Sequence, residues 1–272
     1  MASYVITGVA RGLGYEWLLQ LSKDPSNTVV GLVRDKSATD AKIRADATLS
    51  PRNNVYILEA DLTDYNAIKK AAVDTSAITG GKLDYLIHNA GVIPKLDAFD
   101  GPGALGDRPE EITQVIRDVF EVHVTGTVHL FNLFLPLIQK GNAKKIIATT
   151  SGYSDDGLTR KFEIAVAPLY SASKSAQNTI VAKYHAEFAK DGILFLGVAP
   201  GTVDVGQFND LTEEQMQKQG KTGEKFMQYT PDFKGPITTE ESVDLMLDVI
   251  NNATIEKNGG DAISQFGNKQ WL

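Results

Sequence analysis

Short apolar runs and longer mixed ones take turns along the chain. Runs rich in β-branched and aliphatic residues fall at 4–7, 28–33, 55–59, 83–88, 145–150 and 194–199, with a weaker one at 262–265. Most are continuously apolar rather than alternating, the pattern of strands covered on both faces. Amphipathic helical patterns lie at 13–23, 65–76, 112–140 and 172–190. Strand and helix alternating in this way predict right-handed crossovers and a parallel sheet. The expected architecture is therefore one α/β domain over residues 1–272, a doubly wound parallel sheet.

Two segments break the rhythm. Residues 92–108 are rich in Gly and Pro and read as a loop after the fourth strand. Residues 202–235 are polar, with Gly206, Gly220, Gly223, Pro231 and Gly235. Ligands of open α/β sheets bind beyond the carboxyl ends of the strands, and long loops there are commonly functional. The segment 202–235 is thus expected to be a substrate lid, a variable surface excursion being the plainer alternative.

Composition narrows the partners. Apolar residues make up 42% of the chain, enough for a sizeable core, and the net charge is −7 with no basic run. Nucleic acid and anionic membrane are poor matches for that balance. The absence of cysteine removes disulfides and thiolate chemistry. The four histidines (88, 123, 129 and 185) show no metal-ligand spacing, so no metal is expected. No apolar stretch approaches the ~18 residues of a membrane span. The start of the chain enters a strand without a charged and apolar leader, and a cytoplasmic protein is expected.

Gly8, Gly12 and Gly14 follow the first strand directly and open the first helix, in the run TGVARGLG at 7–14. A tight turn there lets backbone N–H groups approach a phosphate with no side chain between. The spacing is T-G-x-x-x-G-x-G rather than the commoner G-x-G-x-x-G. Farther on, Tyr170 and Lys174 stand four apart in YSASK and share a helix face. A neighbouring ammonium favours a phenolate and lowers a tyrosine's pKa, which suits general acid-base work on a carbonyl or alcohol. The fifth strand runs into two hydroxyl side chains, Thr150 and Ser151.

These motifs, in this order, resemble the short-chain dehydrogenase/reductases over nearly the whole chain, and most of all the small carbonyl-reductase branch that includes sniffer-type enzymes. The resemblance implies a Rossmann-type fold, with Gly8, Arg11, Gly12, Leu13 and Gly14 as the cofactor turn and Asp61 and Leu62 as the pair at the adenine. It assigns Asn89, Ala90 and Gly91 to the cofactor cleft, and Pro200, Gly201 and Val203 to the nicotinamide. On the same resemblance Ser151, preferred to its neighbour Thr150, would polarise a carbonyl, Tyr170 would be the acid-base group, and Lys174 would tune it and bind ribose hydroxyls. Hydride transfer from the 4-pro-S side and a homodimer or homotetramer built on 112–140 and 172–190 are also implied.

The main departure is His123, where the family commonly has asparagine near a water that links the lysine to a proton relay. Either its backbone carbonyl keeps that role, or its imidazole joins the relay, or it is a neutral structural histidine. The cofactor expected is NADP(H). The second strand ends at Val33 and is followed by Arg34, which with Arg11 can grip a 2′-phosphate, whereas Asp35 would instead suit a free ribose if the strand ended one residue later. The function expected is reduction of a ketone or aldehyde; a nucleotide-sensing protein and a non-redox isomerase, cyclase or dehydratase are the alternatives. Phe99, Tyr153, Phe162, Phe208 and Phe226 suggest an apolar pocket lining, and the insert DDGLTRKFE before Tyr170 a shaped pocket mouth. Trp271 reads as a docked tail or a cap on a pocket or interface.

Overall fold

The computed structural model describes residues 1–206 and 209–272; Gln207 and Phe208, one of the aromatic residues singled out above, lie outside the described residues. Seven strands form one sheet: β1 (Ser3–Thr7), β2 (Thr28–Val33), β3 (Val55–Glu59), β4 (Tyr85–His88), β5 (Lys145–Thr149), β6 (Leu194–Ala199) and β7 (Ala262–Ser264). Their order is β3-β2-β1-β4-β5-β6-β7 and every pairing is parallel. The order reverses between β1 and β4, which opens the crevice where ligands of doubly wound sheets bind.

The continuous apolar runs are explained by the two faces of the sheet. Successive strand residues point to opposite sides. Val5, Val30 and Phe195 join Leu130, Phe131 and Phe134 in one core, while their neighbours Ile6, Val29 and Leu196 join Trp17, Leu18, Val243 and Met246 in the other. The first core lies under α3 (Tyr65–Thr79), α5 (Gly126–Ile138) and α7 (Pro168–Phe188); the second lies under α1 (Gly12–Leu21) and α9 (Thr239–Asn252).

Several expected boundaries move. The pattern at 112–140 is not one helix. It consists of α4 (Pro109–Phe120), a single π-turn over Glu121–Thr125, and α5. Helix α2 (Lys36–Ala45) was not expected, nor was α9, nor the short α10 (Ile255–Asn258). Only Thr39 of α2 is buried, so it carries little apolar periodicity. The insert forms α6 (Asp156–Phe162), and the segment read as a polar loop contains α8 (Glu213–Tyr229), opened by a capping box between Thr212 and Gln215. Among the described residues no helix is long and apolar enough to cross a membrane.

Candidate active site

The glycine turn sits at the carboxyl end of β1, and close approach explains its composition. Gly8 has φ +77°, and a Cβ there would come within 2.9 Å of the Ala90 backbone; one on Gly14 would come within 2.1 Å of the Gly8 carbonyl. The turn opens α1 without a side-chain cap, so its first backbone N–H groups are the donors that a pyrophosphate takes at a helix start. Arg11 and Arg34 are both exposed. β2 does end at Val33, and the Asp35 carboxylate accepts the Ala38 N–H at 2.8 Å as the cap of α2. Asp61 Oδ1 accepts both the N–H and the hydroxyl of Thr63 at 2.9 Å, and Leu62 is buried. Asn89 Nδ2 donates to the Thr7 carbonyl at 3.1 Å, joining β4's end to the glycine turn. Gly201 has φ +80° after Pro200, and Val203 pairs with Ile237 in an isolated bridge. These residues fit an extended dinucleotide along the carboxyl edge.

β5 ends at Thr149, one residue earlier than expected, and this separates the two hydroxyl candidates. Thr150 is buried and its hydroxyl donates to Asn178 Oδ1 at 2.6 Å. Ser151 is part-exposed; its Oγ accepts the Tyr153 N–H at 3.2 Å, and its side chain lies near enough to the Tyr170 phenol to favour the phenolate. Tyr170 lies in the first turn of α7, which begins at Pro168 rather than Ala172. The ammonium of Lys174 is 6.0 Å from the Tyr170 ring centre.

Burial dominates the titration of this pair. It lifts the phenol to about 12, with Ser151 pulling the other way. It lowers the Lys174 ammonium to about 7. The shift is thus upward, opposite to the one expected from the spacing of tyrosine and lysine, and desolvation is its main cause.

A buried polar network runs behind the lysine. Lys174 Nζ donates to the Thr149 carbonyl at 2.8 Å and to Gln177 Oε1 at 3.0 Å. Gln177 Nε2 donates to Thr127 Oγ1 at 3.1 Å, and the Thr127 hydroxyl donates to the His123 carbonyl at 2.6 Å. With that proton committed, Thr127 Oγ1 accepts from His88 Nε2 at 2.8 Å, and His88 Nδ1 accepts from the Thr7 hydroxyl at 3.2 Å. His123 is fixed as firmly. Its Nε2 accepts the Val92 N–H at 3.0 Å, so Nδ1 carries the proton and donates to Ser173 Oγ at 2.8 Å. Both imidazoles are held neutral: burial, with the nearby Lys174 charge, lowers His88 to about 3 and His123 to about 2. The π-turn places the His123 ring against Tyr170, 5.9 Å between centres.

The mouth of the site is built from distant segments. Asp155 caps α6 through Oδ1 and accepts Trp271 Nε1 on Oδ2 at 2.7 Å. The Trp271 backbone N–H donates to the Tyr229 hydroxyl at 2.9 Å, and the Trp271 side chain packs so closely on Gly152 that a Cβ there would lie 2.7 Å from the Trp271 Cβ and 2.9 Å from its indole. Tyr153, Phe162 and Phe226 of the expected lining meet Leu158, Tyr229 and Trp271 in one apolar cluster; Phe99 is not among them. Asp97, which carried no signal in the sequence, is buried in the loop after β4. Its Oδ2 accepts the Leu169 N–H at 2.7 Å and the Tyr170 N–H at 3.4 Å, capping α7. That cap replaces the side chain Ala167 lacks at the helix start, and its partner lies 72 residues away.

Comparison with known proteins gives the family and the fold. Residues 3–216 match the sequence model of the short chain dehydrogenase family. The chain is 50% identical over 273 residues to the short chain dehydrogenase virK of Hypocrea virens, with 100% of both chains covered. It is 42% identical over 274 residues to the short-chain dehydrogenase/reductase iacC of Pestalotiopsis fici, again covering 100% of both. Among solved structures, the NADPH-bound carbonyl reductase from chicken fatty liver superposes with a TM-score of 0.76 at 22% identity, over 98% of each chain. The carbonyl reductase Sniffer of D. melanogaster gives 0.75 at 21% identity, over 98% of each chain.

Proposed function

The chain belongs to the short chain dehydrogenase family, and from that premise we propose that it is an NADP(H)-dependent oxidoreductase interconverting a ketone or aldehyde and the corresponding alcohol. One observation carries this reading: Ser151, Tyr170 and Lys174 meet at the sheet edge that also carries the glycine turn. When bound, the nicotinamide supplies or accepts the hydride.

The roles of the chain's own groups follow from their positions. Ser151 holds the carbonyl oxygen and the phenol in one line. Tyr170 delivers its proton to the developing alkoxide, or removes one from the alcohol in reverse, a contribution of about 10²–10⁴ in rate. Lys174 presents a positive charge that offsets the cost of the phenolate and meets ribose hydroxyls. Arg11 and Arg34, exposed beside a β2 end whose neighbouring carboxylate is committed to a helix cap, suit a 2′-phosphate. His123 serves this reading as a neutral brace between the loop after β4 and α7, both ring nitrogens being occupied. Helix α8 (Glu213–Tyr229) acts as a lid over the carbonyl site, and the exposed sides of α4, α5 and α7 are where copies would associate into a dimer or tetramer.

The test is NADPH oxidation against a panel of aromatic and aliphatic ketones, aldehydes and diketones, with NADH in parallel and Tyr170→Phe as control. Turnover with NADPH that the substitution lowers by two orders of magnitude or more is expected. Tight NADPH binding without turnover on any carbonyl would count against a reductase and favour a sensor or a non-redox enzyme.

A further inference from the structure

Gln177 is fully buried, one turn beyond Lys174 on the same face of α7. A buried amide is costly unless its donor and acceptor are both used, and here both are. The orientation of the amide is fixed by its neighbours. Thr127 has spent its only proton on the His123 carbonyl, so its oxygen can only accept. The NH₂ of Gln177 must therefore face Thr127, and its carbonyl must face the Lys174 ammonium. Together with the Thr149 carbonyl, two of the three ammonium protons are held by neutral acceptors.

We propose that Gln177 is a positioning residue, whose side-chain carbonyl and the Thr149 carbonyl form a cradle that fixes the Lys174 ammonium and opposes the loss of its proton inside the fold. The importance of that charge for turnover rests on the oxidoreductase reading above; the cradle itself does not. The groups that face the lysine are Tyr170 on α7, His123 in the π-turn and His88 on β4, and Gly91 brings backbone close to it. Both histidines are neutral, and no carboxylate is among the groups acting on the lysine, whose shift comes from burial alone. Oriented dipoles are then what favours the ammonium over the amine. The third N–H is left for the phenol or a ribose hydroxyl.

The experiment uses the full chain and has two readouts. The first is the titration of Lys174 by NMR of Nζ- and Cε-labelled lysine, the resonance being assigned by its loss in Lys174→Arg. The second is the pH profile of kcat/KM with NADPH and the best carbonyl of the panel. In Gln177→Leu, or Gln177→Met should leucine not fold, the Lys174 midpoint should fall by about one pH unit, a tenfold loss of proton affinity. In Gln177→Glu it should rise by at least as much, since a carboxylate now faces the ammonium. The alkaline limb of the rate profile should move with the midpoint in each case. A midpoint that stays in place in both Leu and Glu variants overturns the cradle, even if the wild type turns over briskly. Midpoints that move as described while no carbonyl is reduced uphold the cradle and remove the oxidoreductase reading instead.

Discussion

Arg34 and Asp35 stand side by side at the end of β2, and their side chains have opposite fates. The aspartate closes an Asx cap on α2, whereas the guanidinium is left exposed beside the glycine turn. Hydrogen bonds to charged groups are worth about 1.5–3 kcal/mol, and each 1.4 kcal/mol is tenfold. Arg34→Ala should therefore lower kcat/KM for NADPH by about tenfold to a hundredfold and leave that for NADH nearly unchanged. Steady-state kinetics with both cofactors decide it; an unchanged NADPH-to-NADH ratio would mean that Arg34 does not meet the 2′-phosphate. At this scale the placement of the motif residues was readable: glycine falls where a Cβ would collide at positions 8 and 14, and Tyr170 and Lys174 stand one turn apart on α7. The contact that separates Thr150 from Ser151 was not readable, because it depends on Asn178 reaching the strand end from α7 and accepting the Thr150 hydroxyl. Asp97 and Gln177 were invisible for the same reason. Their partners are set by packing, and an aspartate in a loop or a glutamine on a helix carries no periodic signal.

The elements around the mouth obey a similar limit. β-strands covered on both faces announce themselves as apolar runs, and the sheet matched them closely. Helix α8 is polar on most of its surface and buries no residue completely, so its sequence resembles a loop. It is held instead by side contacts, the Lys218–Asp100 ion pair at 2.6 Å and the aromatic cluster with Tyr153 and Trp271. The π-turn that interrupts α4 and α5 was equally silent, although such turns gather at functional sites. The C-terminal strap gives an element-scale prediction. Trp271 touches the Ser151 turn, the cap of α6 and the end of α8 together. Trp271→Ala should free α8 and raise KM for the carbonyl substrate about tenfold or more, with NADPH affinity intact, because the cofactor edge lies on other strands. Trp271→Phe keeps a ring on Gly152 but loses the bond to Asp155 and should fall between. Faster proteolytic cleavage within 213–229 should accompany the kinetic change. A KM unmoved in the alanine variant would show that the strap does not shape the pocket.

Across the whole molecule, the neutral histidines inside the polar network tie stability to pH. An unfolded histidine titrates near 6.5, while burial holds His88 to about 3 and His123 to about 2 in the fold. A depressed folded pKa gives stability that is present above the unfolded value and is lost as pH falls toward the folded one. Below pH 6.5 the unfolded chain therefore takes up two protons that the folded chain refuses, and stability falls by about 3 kcal/mol per pH unit from these two sites. Lys174, depressed to about 7, acts with the same sign at higher pH, between its ordinary value of 10.5 and 7. Asp97 and Glu16, raised by burial, act with the opposite sign, their stabilisation being lost as pH rises through the carboxylate range. The interval from 6.5 down to 5 thus belongs mainly to the histidines. Against a net stability of about 5–15 kcal/mol, that slope should bring unfolding at mildly acidic pH. His123→Asn, which installs the residue the family commonly carries here, should retain a donor for Ser173 at the position of Nδ1 while removing one proton site. Its free energy of unfolding, from denaturant titrations at pH 7, 6 and 5, should fall with about half the wild-type slope. An unchanged slope would mean that the imidazole is not kept neutral in the fold, and with it would go the brace assigned to His123 at the head of α7.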